Sequence, residues 1–265
     1  MERRIAFLID NYAEAATFTP DVTTPGLDAA NLVSGQPSEP HRQPGDEFDI
    51  EIDLGAAREV DVVWARNVNW SEAGTWRWRA ATTQAGLLSA PDFEVGFQGY
   101  WPAPAGQAIP GYVNPILFLD QPQTYRHWRL DMSDPTNPEP HRDAGGIGLA
   151  KAVHPQRNFQ FPLQFGKEKR TETAAADSGA EFDLVRTPRL YVQPELWLSQ
   201  AEALGVIGDM EQRLAAGRAV GCVPYPDRPE TYFALAIFGK VRDLGGAEQE
   251  SLAKVTHRLR FVEQL

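Results

Sequence analysis

Residues 48–54 alternate strictly, with Phe48, Ile50, Ile52 and Leu54 on one side and Asp49, Glu51 and Asp53 on the other. A side-chain period of two predicts a half-buried antiparallel strand with an acidic wet face. A turn at 55–58 leads to a second predicted strand at 60–65. Gly74 opens a third at 75–80, where Trp76 and Trp78 share the buried side and Arg77 and Arg79 the other. Upstream, 5–9 is a short apolar run, and an irregular Pro- and Gly-rich stretch ends at Gly45. Residues 84–114 show no sustained period and read as long loops with one short strand near 93–95. Strands at 116–119, 126–131 and 147–153 complete the first segment, with the Asp, Asn and Pro cluster from Asp134 as a turn between the last two.

A different pattern follows. Residues 154–158 read as a linker. Strands at 159–165 and 181–192 are joined by a polar, nearly charge-balanced connector, 166–180, that lacks apolar anchors and therefore projects or is mobile. One helix is predicted at about 199–216. Ser199 and Glu202 form a capping box, Ala203, Ile207, Met210 and Leu214 make one stripe, and Gly217 ends it. Strands at 220–223, 232–238 and 256–262 finish the chain, with a loop at 243–254.

With 265 residues, two domains at 1–153 and 154–265 are expected. The 21 Pro and 22 Gly among short apolar runs favour a mainly β architecture, and seven Trp and thirteen Phe suffice for packed cores. No apolar run approaches the roughly 20 residues that cross a bilayer. The opening ten residues turn acidic too soon for a secretory signal, so the expected site of synthesis and residence is the cytoplasm. A single cysteine, Cys222, excludes an internal disulfide and a thiolate metal cluster. The net charge of −11 is uneven: up to residue 152, 11 Lys+Arg face 21 Asp+Glu (−10), and beyond it 14 face 15 (−1). An acidic first segment argues against binding duplex DNA, which needs a basic footprint.

Taken in order, Ala29-Ala-Asn-Leu32, Ile52-Asp-Leu-Gly55, Val60-Asp-Val-Val63, Thr75-Trp-Arg-Trp-Arg-Ala80 and Trp128-Arg-Leu-Asp131 resemble the discoidin, or galactose-binding-like, pattern. That resemblance implies a jelly-roll β-sandwich over about the first 150 residues. Calcium-holding members carry acidic residues after the Asn-Leu; here 33–38 reads Val-Ser-Gly-Gln-Pro-Ser with only Glu39 near, so no calcium is expected there. The second segment, through Leu198-Ser-Gln-Ala-Glu-Ala-Leu204, Arg218-Ala-Val-Gly-Cys-Val-Pro224 and Arg258-Leu-Arg-Phe-Val-Glu263, resembles the tube-like or belt-like domain of phage distal tail and tail-tube proteins. That implies a β-sandwich with one flanking helix and a long hairpin loop.

The whole layout is similar to tail proteins of double-stranded DNA phages. It implies a non-enzymatic structural component of a tail tip or baseplate. Such a subunit would pair with itself in a ring (a hexamer, or alternatively a trimer) that continues the tail tube, with the jelly roll outside. Its other partners would be the tail tube protein and baseplate hub or fibre proteins, without membrane or sequence-specific nucleic-acid binding. Its location would be the virion, assembled in the bacterial host cytoplasm. The competing class is a carbohydrate-binding module for host surface glycans, and a third is a hydrolase with a cryptic site.

Chemistry-bearing residues are sparse. The five histidines, His41, His127, His141, His154 and His257, show no metal-ligand spacing, so neither metal nor cofactor is expected. There is no Gly-x-Ser-x-Gly elbow, and Cys222 sits within a predicted strand, as a buried inert thiol would. The turn at Gly145-Gly-Ile-Gly148 lacks the Lys-Ser/Thr ending of a phosphate loop. The carboxylates of 46–49 and 131–134 read as a solvated sheet face. Trp70, Tyr100 and Trp101 fall in predicted loops, where they either stack on sugar rings or anchor those loops over the sandwich end. Lys167, Lys169 and Arg170 mark the connector as a candidate subunit contact.

Overall fold

The computed structural model of the chain describes residues 4–33, 36, 38–101, 113–175, 181–243, 248–251 and 254–264. The chain is mainly β. The first segment holds β1 (Ala6–Leu8), β2 (Thr17–Pro20), β3 (His41–Pro44), β4 (Glu47–Arg66), β5 (Thr75–Ala81), β6 (Phe93–Gly99), β7 (Ile116–Ser133), β8 (His141–Ala144) and β9 (Gly146–Ala150). The second holds β10 (Gln160–Glu168), β11 (Glu172–Ala175), β12 (Glu181–Leu184), β13 (Arg189–Leu198), β14 (Val220–Val223) and β15 (Ile237–Asp243). It closes with β16 (Glu248–Ser251), β17 (Lys254–Arg258) and β18 (Arg260–Glu263). Among the described residues three helices accompany them, α1 (Gln84–Ser89), α2 and α3 (Tyr232–Leu235), with short 3-10 turns at Tyr12–Ala15, Ala29–Val33 and Pro229–Thr231. α2 is one continuous helix, with a π segment at Ala203–Ile207 between α segments Gln200–Glu202 and Gly208–Ala215.

The expected turn at 55–58 is absent, because β4 runs unbroken for 20 residues beside an 18-residue β7. Both were read as pairs of strands. Gly55, at φ +75°, lets β4 bend, and the pairing shifts register between Asp53 and Arg58 without ending. Two long bent strands thereby serve both layers of the sandwich. The outer layer runs β2-β4-β7-β5-β6, and in the inner layer Val62–Arg66 of β4 lie between β9 and the start of β7. Phe48, Ile50, Trp76, Trp78, Trp128 and Leu130 of the outer layer meet Val63, Ala65, Ile147 and Leu149 of the inner one in the sandwich core.

The inner layer is apolar on both faces. Val62, Trp64, Ile116 and Ala150 point away from the sandwich core onto Ala6 and Leu8 of β1 and onto Val223, Tyr232 and Phe238 of the second segment. This is the reason 60–65 reads as a nearly continuous apolar run: a strand covered on both faces loses the polar half of its alternation. Trp64 stacks on Phe238 at 5.4 Å between ring centroids. A Cβ on Gly148 would collide with the Trp64 indole, so that position must stay bare.

β1 belongs to the second sheet. It pairs with β14, Phe7 opposite Cys222, although it opens the segment expected at 1–153. Its run of 5–9 is apolar throughout because Ala6 and Leu8 face the seam while Ile5, Phe7 and Ile9 face the core under α2. The eight-stranded sheet runs β1-β14-β15-β18-β13-β17-β16, with β10 pairing β13. Ile207 and Met210 of α2 cover its far face. The capping box forms as read, Glu202 N donating to Ser199 Oγ at 3.2 Å and Ser199 N to Glu202 Oε2 at 3.0 Å.

Other boundaries move. α1 lies in the stretch read as loop, capped by Thr83 Oγ1 accepting from Gly86 N. Residues 232–235, read as strand, are helical, and the strand begins at Ile237. The second arm of the hairpin is 189–198, not 181–192, and the connector itself pairs as the ribbon β11–β12. Residues 176–180 of that connector, and the side chain of Leu214, fall outside what the structure describes.

Candidate functional site

Trp70 and Tyr100 are 3% and 5% exposed, so neither ring has a face available to a sugar. Of the two roles open to these residues the structure has the second: both anchor loops, and their candidacy as sugar-stacking rings is corrected. Trp70 packs on Phe48 at 5.6 Å and on Tyr100 at 5.5 Å, and Tyr100 donates its hydroxyl to Ser71 O. Burial pushes the Tyr100 phenol up, so it stays protonated as a donor. Trp101, the next residue, is half buried and stands edge-on to Phe233 at 4.9 Å.

Trp101 lies at a cleft of about 350 Å³ on the seam between the two segments. One wall comes from the sandwich through Gln98, Trp101, Phe118 and Asp120; the other comes from the β14–β15 connection through Asp227 and Tyr232. Phe118 meets Tyr232 at 6.2 Å. The lining described contains aromatic rings and two carboxylates but no Lys or Arg. Such a cleft attracts cations or hydroxyl donors and repels anions.

The carboxylates of 131–134 are not on a solvated face, and that reading is corrected. Asp131 is 4% exposed on the outside of the outer layer and accepts from Arg79 at 2.8 and 2.9 Å and from Arg129 at 2.6 Å. Arg129 also grips Asp21 at 2.7 and 3.0 Å, and Arg79 donates to Leu87 O of α1. The physical cause is α1, which lies over this face. Asp49, opposite Asp131 in register, has its carboxyl pushed up to about 6 by burial and by the Asp131 charge. Asp134 is fully buried at the loop end, accepting from Ser71 N, Ser71 Oγ and Asn137 Nδ2 at 2.5–2.9 Å. Arg142 beside it donates to the carbonyls of Glu139, His141 and Asp134. These charges are spent on one another and brace loops.

The third feature is the ribbon. β10 and β13 leave the sheet as a hairpin that continues into β11–β12, and Lys167, Lys169 and Arg170 sit along its first strand and the joint beyond. Two of its anions are engaged, Glu168 with Arg260 at 3.4 Å and Glu172 with Arg186 at 3.2 Å. Lys169 and Arg170 have no ion-pair partner among the described residues. Phe161 and Phe165 on β10, and Leu184 and Val185 on the return, are 54–77% exposed. β10 and the ribbon beyond it together carry four of the eight large apolar side chains exposed among the described residues. Sequence reading found the cations but not the apolar positions, since Phe161 and Phe165 look like core residues of an ordinary strand.

Other candidate chemistry is quiet. Cys222 is fully buried, and burial pushes its thiol up. Among the described residues no three His, Cys, Asp or Glu side chains are grouped to hold a metal, and no helix is long and apolar enough to cross a membrane.

No protein-family model matches the sequence, and no curated protein is significantly similar to it. Solved structures resemble about half of the chain. A CBM32 from Clostridium perfringens in complex with GalNAc-β-1,3-galactose covers 54% of this chain and 100% of its own, at 8% identity and a TM-score of 0.42. The family 32 CBM of C. perfringens NanJ, in complex with galactose, covers 56% and 99%, at 9% and 0.39. A Streptococcus pneumoniae fucose-binding module, SpX-3, covers 54% and 98%, at 13% and 0.38.

Proposed function

We propose that this chain is a self-assembling structural subunit of a bacteriophage tail tip or baseplate, distal-tail-like, forming a ring that continues the tail tube and joins it to hub or fibre proteins. The observation that carries this reading is the exposed apolar surface of edge strand β10 and the ribbon beyond it, with Phe161 and Phe165 on the edge, Leu184 and Val185 on the return, and Lys169 and Arg170 without ion-pair partners among the described residues. Apolar side chains gathered along an exposed sheet edge and the ribbon beyond it are suited to burial against another molecule. β10 supports the reading too, because its outer edge has no strand partner among the described residues. Six copies suit a tube and three a tip.

Light scattering and negative-stain imaging of the purified chain, with antibody labelling of particles, test this. Closed rings and labelled tail tips are expected. A monomer at every concentration, or a protein missing from assembled particles, refutes it.

A second reading, binding of surface glycans, is favoured by Trp101 standing beside carboxylates in a cleft. A glycan array with wild type and Trp101→Ala tests it: capture lost on substitution supports the module, and a flat array removes it.

A further inference from the structure

The cleft and the ribbon joint are complementary in charge. We infer that the seam cleft of one copy receives the basic joint of the ribbon, Lys169 and Arg170, of the next copy. This deepens the assembly reading above and rests on it. The ribbon offers two cations without ion-pair partners among the described residues, on a narrow two-stranded element. The cleft offers Asp120, exposed and likewise without an ion-pair partner among those residues, together with Asp227 and the rings of Trp101, Phe118 and Tyr232. Carboxylates flanking aromatic faces are a receptor for a guanidinium or ammonium group, through ion pairing and attraction to the ring faces. Residues 1–152, which supply one wall of the cleft, carry −10 of the net −11 charge, so a cationic arm is drawn towards that side from a distance.

Topology directs the contact outward. β10 is the sheet edge five strands from β1, about 24 Å away at ordinary strand spacing. The cleft lies by the β14–β15 connection, towards the β1 side. Lys169 and Arg170 stand three and four residues beyond the Gly166–Tyr191 pair, about 10–13 Å out from the sheet edge. A donor at one edge and a receptor near the other make a head-to-tail contact, which closes into a ring when the rotation between copies is constant.

Charge reversal tests the inference on the full chain. Three proteins are compared by sedimentation at 0.1 and 0.5 M salt: K169E/R170E, D120K/D227K and the fourfold combination. Each pair alone is expected to weaken self-association at least tenfold, as is the higher salt, and the combination restores it because the charges match again. D120N/D227N, a milder change, is run beside D120K/D227K with circular dichroism so that a folding defect is recognised and read through the milder variant. Assembly that both reversals leave intact overturns this inference while the assembly reading stands. Glycan capture lost in D120N/D227N with assembly unchanged also overturns it, in favour of a sugar in the cleft. A wild type that never associates removes the assembly reading itself, and this inference with it.

Discussion

Asp49 gives the sharpest energetic test of the buried charge network. Its carboxyl lies on the outer face of β4, with Arg129 3.7 Å away and Asp131 directly across the strand pair. Asp21 and Glu47 add further negative charge. Burial, then repulsion from Asp131, lifts its pKa from 3.8 to about 6. Protonation is therefore tighter in the folded chain than in the unfolded one. The stability from that proton is fully present below about pH 4 and is lost as pH rises to about 6; above this the folded chain carries a costly carboxylate. A shift of two units corresponds to about 3 kcal/mol. The side chain retains 20% exposure and Arg129 is near, so about 1–2 kcal/mol is the working figure. Asp49→Asn removes the charge at every pH. Urea titrations followed by tryptophan fluorescence at pH 4, 5, 6, 7 and 8 should show the variant level with wild type at pH 4, apart from a constant offset. It should then gain about 1–2 kcal/mol by pH 7–8. A difference that does not change with pH, or a carboxyl titrating near 4 by NMR, refutes the reasoning.

Asp131→Asn leaves Arg79 and Arg129 buried without their shared counter-charge and should cost about 3–5 kcal/mol in the same titration. Glu14 reaches from the first segment to Arg213 and Arg218 at and beyond the end of α2, both at 2.5 Å. Glu14→Gln should cost about 1–2 kcal/mol, because Arg218 is half exposed, and should raise hydrogen exchange selectively in α2. Trp70→Ala should cost about 3–5 kcal/mol by opening a cavity under Phe48 and Tyr100. Trp101→Ala, at the cleft, should cost less than half of that by thermal melting.

Strand existence was legible wherever one face of a strand is wet: 48–54, 75–80 and 126–131 carry the alternation that a half-buried sheet imposes. It failed where both faces are covered. Residues 5–9 show only an apolar run, which says that a strand is buried but not in which sheet, so β1 was placed with its chain neighbours. Turn chemistry misled at Gly55, because a positive-φ glycine serves a bulge inside a continuing strand as well as a hairpin. The capping box of α2 is local physics and was readable, whereas the burial of Asp131 depends on α1 folding over it from elsewhere. Of the site residues, Trp101 and the ribbon cations could be named in advance. Asp120, Asp227 and Tyr232 could not, since only the seam brings them together.

That seam also decides how the arm can act. A sandwich hung on a flexible linker would move independently of whatever holds the ribbon. Here the inner layer of the sandwich is also the floor of the second sheet, with Trp64 on Phe238 and with Ala6 and Leu8 of β1 in the same buried cluster. His154, in the stretch read as a linker, bonds Arg4 O and Ile5 O, and Asn158 Oδ1 accepts from Ile5 N. Arg4 donates to Pro155 O. The connection is thus tied to the strand that starts the second sheet. Burial of this kind is worth about 25 cal/mol per Å² of apolar surface, which several large side chains on each face turn into a cost that thermal motion does not meet. A load applied to the ribbon is therefore carried through β13, the sheet and the seam into the sandwich, and the two segments move as one.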